Sequence, residues 1–251
     1  MHRAVIVSGA RTPVGRFGGA FKGYPASELG AVVIRAALER VGLDPAEVDE
    51  VVIGNAIQVS EGGYAARLAS LKAGIPQEIP AIAINRQCSS GLEAINVAAQ
   101  MIRLGEVDVV VAGGTENMSA TPYLLRGVRW DGLRLGQETL DDALIESLSC
   151  PVNLYHMGIT AENVAAAFEV SREDQDGLAL LSHQRAVNAV EEGRFNQQMV
   201  SVSVPQRRGE PIIVQQDEQP RSDTTLEKLA TMQPAFREGG TVTAGNASGI
   251  N

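Results

Sequence analysis

The sequence predicts an α/β fold: a layered sheet with helices on both faces, carrying an inserted α+β subdomain. Short continuous apolar runs, each closed by small residues, alternate with amphipathic stretches over roughly the first 110 positions. The composition points the same way, because 44% of residues are hydrophobic while only 4% are aromatic. That usage suits close-packed aliphatic layers rather than an aromatic-stacking surface. After Thr115 the period fails across 119–160, and helix and strand patterns then resume, as an insertion would produce.

Residues 4–7, Ala-Val-Ile-Val ahead of Ser8-Gly9, read as a first buried strand. The glycine-rich stretch at Gly15, Gly18, Gly19 and Gly23 lacks the Lys-Ser/Thr ending of a phosphate-cradling loop and reads as a connection. Ser27 is placed to cap a helix with Leu29, Val32, Val33, Ala36 and Leu38 on its apolar face and Gly42 as its stop. Asp44-Pro45-Ala46-Glu47 has capping-box spacing, with proline at the first helical position. Strands follow at 51–54, 81–84 and 107–112, separated by helices at 64–72 and 91–104 that stop at Gly74 and Gly105. Two more helices are expected at 160–168 and 172–192, the second opened by Ser171. Val200, Val202 and Val204 alternate with polar residues as a half-buried strand, partnered by 211–214. Strand character returns at Thr241–Thr243. The expected division is a core of 1–118 with 240–251, interrupted by a subdomain of 119–239.

Charge excludes several roles. With 21 Lys+Arg against 30 Asp+Glu, the net charge is −9, so no basic face for nucleic acid is expected. No polybasic run offers a membrane anchor, and no signal peptide or membrane span is read at the N-terminus. Two cysteines, Cys88 and Cys150, are too few for a disulfide scaffold, so a cytoplasmic, thiol-bearing protein is expected.

The chemistry concentrates at Asn85-Arg86-Gln87-Cys88-Ser89-Ser90-Gly91-Leu92. A strand ends at Ile84 and a helix begins near Ser89 or Ser90, so Cys88 falls at the turn, by the helix amino end. Unpaired amides and the positive end of the helix dipole favour a thiolate there. The small residues after it leave room for a carbonyl to approach, as in the nucleophile elbow of serine hydrolases. On spacing alone, an inert thiol filling a helix–sheet contact is the commoner reading of Cys88. Cys150, in an irregular loop before Pro151, reads as structural. Of three histidines, His2 is terminal, His183 reads as a solvated helix residue, and His156 sits before a helix start where it can line a pocket. No ligand pairs with metal spacing occur.

Around Cys88 the sequence resembles the active-site segment of the thiolases, the acyl-CoA C-acyltransferases. Ala10-Arg11-Thr12-Pro13-Val14-Gly15, Gly113-Gly114-Thr115-Glu116-Asn117-Met118-Ser119, Tyr155-His156-Met157-Gly158 with Thr160-Ala161-Glu162-Asn163, and Gly240 to Asn251 resemble further family segments in family order. The resemblance implies that one acyl-CoA acylates Cys88. It also implies a thiolase-like layered fold whose loop domain holds coenzyme A. The positions matching the coenzyme A contacts are Leu148, His156, Met157, Arg221, Phe236, Ala244 and Ser248. Arg221 would meet the nucleotide end and Ser248 the pantetheine amide. By residue type alone, Phe236 reads as a core aromatic and Arg221 as a solvated charge.

The implied reaction is two acetyl-CoA to acetoacetyl-CoA plus CoA, or the reverse thiolysis. Action on longer 3-ketoacyl-CoA chains and a non-catalytic CoA-binding fragment are the rival readings. No cofactor is implied, since coenzyme A thioesters are substrates. The family also implies a homodimer or homotetramer, with the strand at Ala81–Ile84 at or near a dimer contact. Family members continue into a second half bearing Gly-His-Pro, Cys-Gly-Gly and Asn-Glu motifs, none of which occurs between Met1 and Asn251. The expectation is therefore an N-terminal half plus loop domain that lacks the C-terminal domain and does not complete the condensation alone.

Overall fold

A computed structural model describes residues 2–59, 63–133 and 135–251. It divides into two compact units: Met1–Ala120 with Asn196–Glu218 and Asn251, and Thr121–Phe195 with Gln219–Ile250.

The first unit follows the predicted alternation: α1 (Ala26–Val41), β1 (Glu50–Gly54), α2 (Ala65–Ala73), β2 (Ala81–Ile84), α3 (Ser90–Leu104) and β3 (Val110–Gly114). Gly42, Gly74 and Gly105 end the three helices in the left-handed conformation. The sheet is parallel, in the order β2-β1-β3, with Val51 opposite Ala81 and Val111. All five residues of the central strand β1 are buried, as a parallel strand covered on both faces requires. On one face Val51 and Ile53 share a core with Ala31, Ile34 and Leu38 of α1 and Ala66, Ala69 and Ala73 of α2. On the other, Gly54 meets the start of α3. Burying each branched side chain of β1 stabilises the unit by roughly 1.5–3 kcal/mol.

Three expectations need correction here. Residues 4–7 form no strand: Val5, Ile6 and Val7 are exposed, and no described strand pairs with them. Their neighbours bond to helices instead, through the Ser8 hydroxyl to the Ala37 carbonyl (2.7 Å) and the His2 amide to the Arg103 carbonyl (3.3 Å). Ser27 is not the cap of α1, because Pro25 takes that position and Ser27 is buried, its Oγ accepting from Lys72 (2.9 Å). The capping box of Asp44 and Glu47 forms as its spacing predicts and opens a single 3₁₀ turn. The strand expected at 107–112 begins at Val110, because Asp49 first takes the amides of Asp108 and Val109 (both 2.8 Å).

The domain boundaries also differ. β8 (Val202–Val204) and β9 (Ile212–Val214) pair antiparallel as predicted, but they belong to the first unit. Val202, Val204 and Val214 are buried with Phe21 and Leu29. Arg11 grips Asp217 with two nitrogens (2.8 and 3.0 Å), and Glu218 accepts from the Arg16 amide (3.0 Å).

The second unit carries β4 (Tyr123–Leu124), α4 (Val128–Asp131), β5 (Asp141–Asp142), α5 (Ala143–Ser147), β6 (Ser149–Cys150), β7 (Tyr155–His156), α6 (Met157–Ala167), α7 (Arg172–Glu191) and α8 (Leu226–Ala230). Ser171 caps α7 by accepting from the Asp174 amide (3.0 Å), as its spacing predicts. The expected strand at 241–243 is absent. The Thr241 and Val242 amides are taken by a side chain of α6 and the Thr243 amide by Asn246, and the segment lies in this unit rather than with the sheet.

Among the described residues no helix is long and apolar enough to cross a membrane. Within β1, burial pushes the Glu50 carboxyl up, against a smaller opposing pull from the Val51 amide, and one carboxylate oxygen lacks a partner among the described residues. A raised acid favours folding below its ordinary value, and that contribution is lost as pH rises through the folded-state value. Glu50→Gln is therefore expected to raise the thermal midpoint at pH 8 by roughly 2–4 °C, the shift that about 1 kcal/mol gives at this size. Circular dichroism melts should show the gain vanish by pH 4.

Candidate active site

Cys88 is exposed on the turn between β2 and α3, one residue before Ser89, which precedes the helix. The turn is built by hydrogen bonds around Gln87, whose φ of 51° is left-handed and unfavourable for a residue with a side chain. The Gln87 amide donates to Asn85 Oδ1 (3.0 Å). Its carbonyl accepts from the Ser90 amide (3.0 Å) and the Ser90 hydroxyl (2.6 Å), whose oxygen in turn accepts from the Arg86 amide (2.9 Å). Ser90 is buried, so this bracket is fixed to the body of the unit while the thiol faces outward. A Cβ on Gly54 would lie 2.4 Å from the Ser90 carbonyl carbon and 2.5 Å from the Gly91 nitrogen. Only glycine at the end of β1 lets the helix start this close to the sheet. A cavity of about 240 Å³ in this unit is lined by Arg11, Phe21, Leu29, Thr115 and Glu116, and Cys88 is not among its walls.

The other seven predicted residues all lie in the second unit. Four of them gather around the start of α6. His156 caps that helix, its Nδ1 accepting from the Gly158 amide (3.0 Å). Its ring stacks on Phe236 at 4.9 Å between centroids and 17° between planes. The Met157 amide donates to the Leu148 carbonyl (2.8 Å), joining the end of α5 to the start of α6. Met157 keeps an exposed side chain, and Leu148 is half-buried. Ala244 is exposed at a turn where Asn246 Oδ1 accepts from the Thr243 amide (2.7 Å), and Ser248 is exposed just beyond it. Arg221 is anchored to α7: its amide donates to His183 Nδ1 (3.1 Å) and its side chain is exposed.

His183 was expected to be solvated; it is half-buried and does holding work at that contact. Cys150 closes the β6–β7 turn, where hydrogen bonds from the Asn153 and Val152 amides hold its thiol below the usual range.

Three residues act through contacts that the sequence does not announce. A Cβ on Gly158 would lie 2.3 Å from the Phe236 ring, so the stack requires glycine there. Glu162, only 1% exposed, accepts from the amides of Thr241 (2.9 Å) and Val242 (2.8 Å). Asp176, also buried, accepts from Asn246 Nδ2 (2.9 Å) and from Arg172 (2.8 Å). A carboxylate on a helix reads as solvated unless its partners, some 70 to 80 positions away, are known. No group of three or more metal-ligating side chains occurs among the described residues.

The family described as "Thiolase, N-terminal domain" matches residues 4–251. The chain belongs to the thiolase family. Among relatives, a probable acetyl-CoA acyltransferase of Staphylococcus aureus (strain COL) is 48% identical over 252 aligned residues, covering 100% of this chain and 64% of the relative. An acetyl-CoA acetyltransferase of Pseudomonas aeruginosa is 50% identical with the same coverage. The crystal structure of the Bacillus anthracis acetyl-CoA acetyltransferase superposes with a TM-score of 0.96 at 46% identity, covering 99% of this chain and 63% of that one. This thiolase chain therefore spans about 64% of the length of its curated relatives.

Two predictions follow from the second unit of this thiolase chain. Gly158→Ala is expected to break the His156–Phe236 stack at a cost of about 1–3 kcal/mol; a denaturant midpoint equal to the parent's would refute this. Burial alone would raise the Glu162 carboxyl, but the Thr241 and Val242 amides, the Thr241 hydroxyl and the Arg237 charge outweigh it and hold it low. A lowered acid contributes stability above its ordinary value and loses it as pH falls through the folded-state value. The parent's thermal midpoint should thus drop between pH 5 and pH 3 more steeply than that of Glu162→Gln.

Proposed function

We propose that this thiolase chain belongs to an acetyl-CoA acetyltransferase, acting through an acyl-cysteine at Cys88. The observation that carries the reading is the exposed thiol on a bracketed turn immediately before the amino end of α3. Sγ attacks the thioester carbonyl carbon of acetyl-CoA, and the tetrahedral adduct collapses by breaking the carbon–sulfur bond to coenzyme A. The departing thiolate takes up a proton, leaving acetyl-Cys88 and free CoA. Splitting the condensation at this intermediate replaces one difficult step with two easier ones.

Leu148, His156, Met157, Arg221, Phe236, Ala244 and Ser248 are the proposed coenzyme A contacts. The flat, half-buried face made by His156 and Phe236 suits an apolar stretch of the pantetheine chain, and the exposed Arg221 suits a phosphate. His156 is poorly placed to act as a base, because Nδ1 already accepts from Gly158 and the ring is stacked. Cys88 supplies the nucleophile for acyl transfer; condensation further requires a base for the α-proton of the second acetyl group and donors for the enolate oxygen. Cytoplasmic location and a homodimer or homotetramer, with β2 near the dimer contact, belong to the same proposal. Exposure of Ile82 on that edge strand supports a defined partner there.

A thiolase acting on longer 3-ketoacyl-CoA substrates is the second reading, favoured by the broader acyltransferase name of the S. aureus relatives. Acetoacetyl-CoA against a medium-chain substrate separates the two. Incubation with acetyl-CoA followed by peptide mass spectrometry should place the acetyl group on Cys88. Cys88→Ala should lose that adduct and reduce turnover of the complete enzyme by roughly 10³-fold or more. An adduct retained by Cys88→Ala would overturn the assignment, and CoA binding without any adduct would favour a non-catalytic role.

A further inference from the structure

We propose that Glu116 is a positioning residue for the Cys88 thiol, acting through the backbone of Ala56 and the side chain of Asn85. The inference rests on the reading of Cys88 as the nucleophile.

Glu116 stands two residues beyond β3. Its Oε2 accepts from the amides of Ala56 (2.8 Å) and Ile57 (3.1 Å), and its Oε1 accepts from Asn55 Nδ2 (2.9 Å). Three N–H donors converging on one carboxylate fix the loop after β1 more firmly than neutral contacts would. Asn55 is buried and also donates to the Thr115 carbonyl (3.0 Å), so the loop is tied at both its side chain and its main chain. The loop then holds the nucleophile turn. The Ala56 carbonyl accepts from Asn85 Nδ2 (2.9 Å), and Asn85 Oδ1 accepts from the amide of Gln87 (3.0 Å), the residue that leads into Cys88. With its nitrogen held by Ala56, the Asn85 amide group presents its oxygen to Gln87 and cannot rotate freely. The left-handed Gln87 is thus fixed on its amide side by this relay and on its carbonyl side by Ser90.

Neither Glu116 nor the linked residues Asn55, Ala56, Asn85 and Gln87 belong to the apolar core of α1, α2 and β1. Cutting the relay therefore acts on the turn and leaves the main source of stability in place. Asn85 is exposed, so truncating it opens no cavity.

The test follows alkylation of the folded 251-residue chain by iodoacetamide, resolved by peptide, with Cys150 of the second unit as internal reference. Parent, Glu116→Ala, Glu116→Gln and Asn85→Ala chains are compared, each with its thermal midpoint. The Cys88-to-Cys150 rate ratio is expected to fall roughly three- to tenfold in Glu116→Ala and in Asn85→Ala. Glu116→Gln should recover most of it, because one oxygen remains for the Ala56 and Ile57 amides. The Glu116→Ala/Asn85→Ala double variant should fall no further than the worse single one, as expected for one relay. If Glu116→Ala does not fold, Asn85→Ala and Glu116→Gln carry the test. Ratios within twofold of the parent in the folded alanine variants, or a Gln variant no better than Ala, overturn the proposal. If acetyl-CoA fails to acylate Cys88 in the parent while the alkylation ratio still responds to Glu116, the positioning role stands and the acyl-acceptor reading falls.

Discussion

The nucleophile turn depends on one steric constraint, the backbone-to-backbone approach of α3 to the carboxyl end of β1. Gly54 ends a strand with no exposed residue, and the first turn of α3 lies where any β-carbon on that glycine would sit. Gly114, on the neighbouring strand, faces the same helix start, with the Gly91 Cα 3.4 Å from where its β-carbon would be. Backbone cannot swing aside as a side chain can, so these contacts fix the helix origin to the most buried strand of the unit. Cys88 inherits that reference frame although its own side chain is exposed.

The second unit reaches a comparable result with carboxylates. Glu162 on α6 and Asp176 on α7 each accept hydrogen bonds from the 241–246 segment, which has no strand partner to satisfy its amides. An unpaired buried amide costs about 1–3 kcal/mol, so Glu162 stabilises a backbone that regular structure leaves unsupported, while Asp176 holds the segment through the Asn246 side chain. The same segment carries Ala244 and leads to Ser248, while Phe236 just before it is pinned over Gly158. Precision here comes from polar groups distant in sequence, and such pairings leave no periodic trace.

That difference explains what the sequence made legible. The strand–helix alternation, the three glycine stops, the Ser171 cap and the position of Cys88 before a helix are local patterns, and each was readable. The run at 4–7 departs from its pattern because apolar character states a capacity for burial without naming a partner strand. The domain boundaries failed for a related reason: 202–214 packs on Phe21 and Leu29, nearly two hundred positions away. At the candidate site, residue types quoted in family motifs were found, but Gly158, Glu162 and Asp176 act by contacts that spacing does not encode. Glu116 was visible only as part of a motif, and its hold on Ala56 needed coordinates.

The left-handed Gln87 shows how far the thiol's place is conditional. A left-handed conformation costs an L-residue roughly 1–2 kcal/mol, which glycine would avoid. Each bracketing hydrogen bond returns about 0.5–1.5 kcal/mol, so the two from Ser90 and the one to Asn85 together outweigh that strain, whereas any one alone would barely match it. Losing either side of the bracket therefore cuts into the margin that holds the turn. Ser90 is secured by its burial against Gly54, but Asn85 is exposed and owes its orientation to the Ala56 carbonyl. The weaker side of the bracket is the one that runs back to Glu116, and it is there that a small perturbation, outside the apolar core, would let the residues ahead of Cys88 relax toward ordinary backbone geometry.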